Sequence, residues 1–153
     1  MKKVLFVCLG NICRSPMAEG LMRTYSEAQG VALLVDSAAT SSWEVGRPPH
    51  PGTAKILREA GVDMSAMRAR QVRPEDWRRF DYIIAMDKEN LKDLQASAPD
   101  TYSAKVTTYL SVVPGKETQE VPDPWYTGDF NETRDLLQEG LPYWLAKFQE
   151  DES

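Results

Sequence analysis

The sequence predicts an α/β fold: a single doubly wound domain with a central four-stranded parallel sheet flanked by helices. Three observations carry this. Short apolar runs alternate with helical patterns along the chain. The first run is continuous rather than alternating, as expected for a strand buried on both faces of a parallel sheet. No internal repeat or low-complexity linker divides the chain, and its 153 residues fit one domain, residues 1–153, large enough to bury a core.

The elements follow in order. Val4 to Leu9 is the first strand. Ala18, Leu21, Met22 and Tyr25 then recur at helical spacing, with Pro16 suited to a first helical position. Leu33 to Val35, Tyr82 to Met86 and Val106 to Leu110 supply three further strands, separated by helical patterns near Thr53 to Ala60 and Glu89 to Ala96. A final helical stretch begins around Phe130, and Gly140 and Pro142 are expected to kink or split it. Ser41 to Gly52, Met64 to Arg73 and Val113 to Gly128 read as loops, and Glu150-Asp151-Glu152 as a solvated end. In such a sheet, ligands sit outside the carboxyl ends of the strands.

Composition narrows the function. Hydrophobic residues make up 42% and charged residues 27%, ordinary for a globular chain. A net charge of −5 argues against broad attraction to nucleic acid or an anionic membrane, so a phosphate-bearing partner must be held by local geometry. The apolar run after Met1-Lys2-Lys3 is too short for a signal-peptide core, and nothing later approaches a membrane span, so a cytoplasmic location is expected. Cys8 and Cys13 are too few for a disulfide scaffold. With a single histidine, His50, they do not make a zinc site of the usual kind, and no metal or cofactor is expected. As reduced thiols they are either inert core residues or reactive ones.

Location favours reactivity for Cys8. It closes the first strand, and Leu9-Gly10-Asn11-Ile12-Cys13-Arg14 turns the chain into the following helix. Gly10 and Asn11 tolerate left-handed backbone angles, so the turn can aim successive N–H groups inward as an anion nest, reinforced by the helix N-terminus. Groups that attract phosphate also favour a thiolate. Arg14 offers a planar fork for two phosphate oxygens, and Ser15 a hydroxyl to steady the sulfur when it leaves. Taken singly, Arg14 would be a surface residue and Ser15 a helix cap; together, between strand and helix, they form a phosphate cradle from Cys8 to Ser15.

The run Val7-Cys8-Leu9-Gly10-Asn11-Ile12-Cys13-Arg14-Ser15-Pro16-Met17-Ala18-Glu19 resembles the signature of the low-molecular-weight protein tyrosine phosphatases. Asp36-Ser37-Ala38, Trp43, Ala69-Arg70-Gln71, Phe80 to Asp87 and Asp123-Pro124-Trp125-Tyr126 extend the likeness in family order. It implies a flavodoxin-like, phosphotyrosine phosphatase I type fold and hydrolysis of phosphotyrosine in proteins through a phosphocysteine intermediate. Cys8 would be the nucleophile, and Arg14 with the amides of Leu9, Gly10, Asn11, Ile12, Cys13 and Ser15 would hold the phosphoryl oxygens. Asp123 would act as general acid and then base, and Asp87 would belong to the supporting shell. The implied partners are a tyrosine-phosphorylated protein as substrate and inorganic phosphate or a similar oxyanion as product or inhibitor. A monomer is expected, with a weak dimer as the alternative.

The resemblance also assigns a substrate slot to Ile12, Trp43, Trp125 and Tyr126, deep enough to disfavour phosphoserine. Arsenate reductases of similar architecture relay a disulfide to cysteines beyond the loop, and none follows Cys13 here. Protein arginine phosphatases carry Thr where this chain has Ile12, so tyrosine is favoured, with the arginine enzyme and a non-catalytic phosphotyrosine-binding module as alternatives. Cys13 is either a small apolar filler or a redox partner of Cys8. Asn11, Ser15 and Ser37 are support candidates. Many members of the family carry a His shortly before Ala-Arg-Gln, and Ser65-Ala66-Met67-Arg68 has none. His50 reads as a surface turn, and Arg70 as an ion-pair partner of Asp36 or Asp87.

Overall fold

A computed structural model describes residues 1–151. Strands β1 (Lys2–Cys8), β2 (Leu33–Ala39), β3 (Tyr82–Ala85) and β4 (Lys105–Thr108) form one sheet in the order β2-β1-β3-β4, and every pairing is parallel. β1 lies inside the sheet, which explains its unbroken apolar run: Val4, Leu5, Phe6 and Val7 are fully buried. Its side chains alternate between two cores. Val4, Phe6 and Cys8 face Met17, Leu21, Leu57, Leu137 and Trp144, while Leu5 and Val7 face Trp77, Phe80, Ile83 and Leu94. Burying each large apolar side chain contributes about 1.5–3 kcal/mol before chain entropy is counted.

The helices are α1 (Arg14–Ala28), α2 (Pro51–Glu59), α3 (Asp76–Arg79), α4 (Lys88–Ser97), α5 (Pro124–Thr127) and α6 (Phe130–Glu150), with a 3-10 turn at Tyr109–Val112. β2 lies on one side of β1 and β3 on the other, so strand order reverses there. A crevice at the carboxyl end of β1 is where such a sheet receives a ligand.

Several expectations are corrected. α1 begins at Arg14, so Pro16 sits in its third position, still in the first turn where a missing N–H costs nothing. α6 runs unbroken through Gly140 and Pro142. Gly140 leaves room for the Tyr109 ring, which would lie 2.5 Å from an added Cβ, and the packing of α6 on α1 and the 3-10 turn offsets the proline's cost. α3 and α5 fall in stretches without predicted structure and are too short to show a period. In the expected loop 64–73, Gln71 pairs with Ala39 as an isolated bridge. Of the acidic tail, Glu150 ends α6 and Asp151 pairs with Lys105 at 2.8 Å, while Glu152 lies outside the described residues.

Candidate active site

The segment from Cys8 to Ser15 curls around the Cys8 sulfur. Asn11 takes a left-handed φ of 59°, the one positive value at a non-glycine among the described residues. Asn tolerates that region because its side chain bonds locally. The Asn11 N–H points at Cys8 Sγ (3.3 Å), Ser15 N–H approaches it at 3.5 Å, and Ser15 Oγ lies 3.0 Å away.

The loop's carbonyls are tied outward. Thr40 N–H donates to Cys8 O, Ser41 N–H to Leu9 O, His50 N–H to Ile12 O, and the Thr53 hydroxyl to Cys13 O. The N–H groups of Leu9, Gly10, Ile12 and Cys13 have no acceptor among the described residues. Free amides in a loop that curls around a sulfur are the donors an anion cradle needs.

Arg14 adds charge. Its side chain is buried, with NH1 donating to Asp87 Oδ2 (2.7 Å) and Val121 O (2.9 Å), and NH2 lying 3.4 Å from Asp123 Oδ2. Burial alone would lower its pKa, but the Cys8 sulfur, Asp87 and Asp123 outweigh burial and raise it. Its Nε–H is buried with no partner among the described residues, an unmet donor beside the loop. Asp87 also caps α4 by accepting Asn90 N–H at 2.7 Å. Asp123 Oδ1 accepts Trp125 N–H at 3.0 Å, capping α5.

A family model described as low molecular weight phosphotyrosine protein phosphatase matches residues 3–153. The chain belongs to that family. The low molecular weight protein-tyrosine-phosphatase YfkJ of Bacillus subtilis is 44% identical over 153 residues, covering 99% of this chain and 98% of that one. Its crystal structure superposes with a TM-score of 0.94 over 100% of this chain and 98% of the other. The human low molecular weight phosphotyrosine protein phosphatase is 43% identical over 132 residues, 84% of this chain and 82% of that one. A crystal structure of the Drosophila arginine phosphatase shares 32% identity at a TM-score of 0.88, covering 97% and 98% of the two chains.

In this member of the low-molecular-weight phosphatases, Cys8, Leu9, Gly10, Ile12, Cys13, Trp43, Glu44, Asp123, Trp125 and Tyr126 line one cavity of about 220 Å³. Trp43, Trp125 and Tyr126 are 73%, 57% and 76% exposed, so these rings stand at its mouth instead of filling core. Asn11 and Ser15 do not line the cavity and support it from behind. Asn11 Nδ2 donates to Ser15 Oγ (2.7 Å) and Ser37 Oγ (2.9 Å), and Asn11 Oδ1 accepts Arg70 N–H (3.1 Å). The Ser37 hydroxyl donates to buried Glu19 at 2.6 Å, and Glu19 in turn pairs with Arg23. Burial pushes the Glu19 carboxyl up, against Ser37 and Arg23, which pull it down.

Sequence reasoning missed Glu19, although its position four residues before Arg23 was a usable signal. His50, read as a surface turn, lies half-buried just before α2 and also contacts the Trp125 and Phe130 rings, which the sequence did not indicate. Arg70 pairs with Asp76 (2.9 Å) and Asp36 (3.1 Å), not with Asp87, whose carboxylate is held by Arg14. Burial, then the neighbouring Cys8 and Asp123, pushes the Cys13 thiol up to about 12. Among the described residues no cluster of three or more His, Cys, Asp or Glu side chains is arranged to hold a metal ion, and no helix is long and apolar enough to cross a membrane.

Proposed function

We propose that the chain hydrolyses phosphotyrosine monoesters in proteins, with Cys8 as nucleophile, Arg14 as oxyanion holder and Asp123 as general acid and then base. The observation that carries this is the convergence on one sulfur of two backbone N–H groups and a hydroxyl, beside an orphaned guanidinium N–H. Such donors stabilise negative charge on sulfur and on a phosphoryl group placed against it.

In the first step the Cys8 thiolate attacks phosphorus in line. The P–O bond to tyrosine breaks, and Asp123 gives its proton to the departing phenolate oxygen. The three equatorial oxygens rest on the loop amides and on Arg14 as charge spreads in a loose transition state. In the second step Asp123, now a carboxylate, takes a proton from water as that water attacks phosphocysteine. Phosphate departs, and the Ser15 hydroxyl donates to the returning thiolate. Cys13, a neutral thiol lining the same cavity, is the partner for an oxidised Cys8: sulfenic acid plus thiol gives a disulfide and water. The aromatic mouth fits a phenyl ring and leaves phosphoserine short of the cradle. The location that suits this reading is the cytoplasm, where the thiol stays reduced.

Phosphoarginine is the second reading, favoured by the likeness to the Drosophila arginine phosphatase. Ile12 at the slot wall argues against it, because a branched apolar side chain offers a phenyl ring contact and offers a guanidinium no acceptor of its own. Turnover of phosphotyrosine, phosphoserine and phosphoarginine peptides by wild type and Cys8→Ser separates the readings. Phosphotyrosine hydrolysis, abolished in Cys8→Ser, is expected. Preference for phosphoarginine would replace the substrate assignment, and binding without turnover would leave only a phosphotyrosine-reading module.

A further inference from the structure

His50 joins the phosphate loop to the segment that bears Asp123. Its backbone N–H donates to Ile12 O at 2.8 Å, pinning one carbonyl of the loop. Its imidazole Nδ1 accepts Gly52 N–H at 3.0 Å and caps α2. That bond holds the ring in one orientation on the helix it caps.

Two aromatic rings pack against that imidazole. His50 stacks on Phe130 with centroids 4.8 Å apart and planes 22° apart, and Phe130 itself packs against Ile12, Cys13 and Ala69. Gly52 is the residue that permits this approach, since a Cβ there would lie 2.6 Å from the Phe130 ring. His50 also meets Trp125 in a T-shaped pair, with centroids 5.8 Å apart and planes at 86°. Trp125 touches no other ring among the described residues. It belongs to a four-residue helix and is more than half exposed, so little else fixes the indole.

We infer that His50 is a positioning residue for substrate recognition: a clamp that seats the Trp125 wall of the aryl slot against the phosphate loop. The inference rests on the functional reading above, because the slot matters only if an aryl phosphate enters it. It goes beyond that reading by giving a role to a side chain outside the cavity. Loss of the clamp, an edge-to-face aromatic pair, is expected to raise KM for aryl phosphates by roughly 2- to 13-fold.

Three variants separate the clamp from the cap. His50→Asn keeps a favoured capping side chain and removes the ring. His50→Phe keeps the ring and removes the acceptor. Trp125→Ala supplies the second arm of a double-mutant cycle. The expected pattern is a raised KM with little change in kcat for His50→Asn, recovery towards wild type in His50→Phe, and no added effect of His50→Asn in the Trp125→Ala background. An unchanged KM in His50→Asn, or a full effect persisting without Trp125, would overturn the inference. Acrylamide quenching of indole fluorescence decides the contact even without turnover. His50→Asn should expose an indole in the wild-type background and none in Trp125→Phe; equal quenching in both backgrounds would refute the clamp. Absence of aryl phosphate turnover by wild type would sink the functional reading alone.

Discussion

Asn11 sits where the loop's geometry is decided. Its backbone turns left-handed where its own N–H reaches the Cys8 sulfur, and its side chain holds Ser15, Ser37 and the Arg70 backbone together. Asn11→Ala would keep an unfavourable φ while leaving those buried partners unmet. A loss of about 1–3 kcal/mol in denaturant unfolding is expected, with a larger proportional loss in kcat/KM than in stability. Stability and turnover both at wild-type level would show that the loop holds its shape without this side chain. The motif around Asn11 was legible because each residue type has a physical reason at its position between a strand and a helix. Glu19 was legible only as one half of an i,i+4 pair with Arg23, and its place as the buried acceptor behind Ser37 was not.

Among the elements, β1 and α1 carry the loop, and both were legible: β1 from its continuous apolar run, α1 from its helical spacing. α5 was hidden, for four residues beside two prolines have no period to detect. Its capping aspartate is also the residue assigned to proton transfer, so a local structural need and a chemical one share Asp123. α6 shows how packing overrides propensity. The Tyr109 hydroxyl donates to Leu137 O at 2.5 Å, and its ring occupies the space that a side chain at Gly140 would fill. Gly140→Ala, favourable by helix propensity, is therefore expected to destabilise by about 1–3 kcal/mol through overpacking. Thermal unfolding measures it, and a raised Tm would mean that the Tyr109 ring moves aside freely.

At the scale of the molecule, the parallel sheet gathers at one edge groups that are far apart in sequence. The end of β1 supplies Cys8, the segment before α5 supplies Asp123, and Arg14 bridges Asp87, Val121 and Asp123. The fold class was within reach of the sequence, because burial on both faces of β1 dictates its composition, whereas the strand order was not read from it. The meeting of His50 with Trp125 was not, since it depends on how α2 and α5 dock across the loop.

Hydrolysis through phosphocysteine stands or falls on trapping that intermediate. Under the proposed mechanism, Asp123→Asn would remove the base that hydrolyses the intermediate and leave Cys8 able to displace a good leaving group. Mixing this variant with an excess of p-nitrophenyl phosphate, quenching in acid and mapping the peptides by mass is expected to find one phosphate on the peptide bearing Cys8, and none in Asp123→Asn combined with Cys8→Ser. Release of nitrophenolate with no phosphate on Cys8, or with phosphate on another residue, would contradict the account.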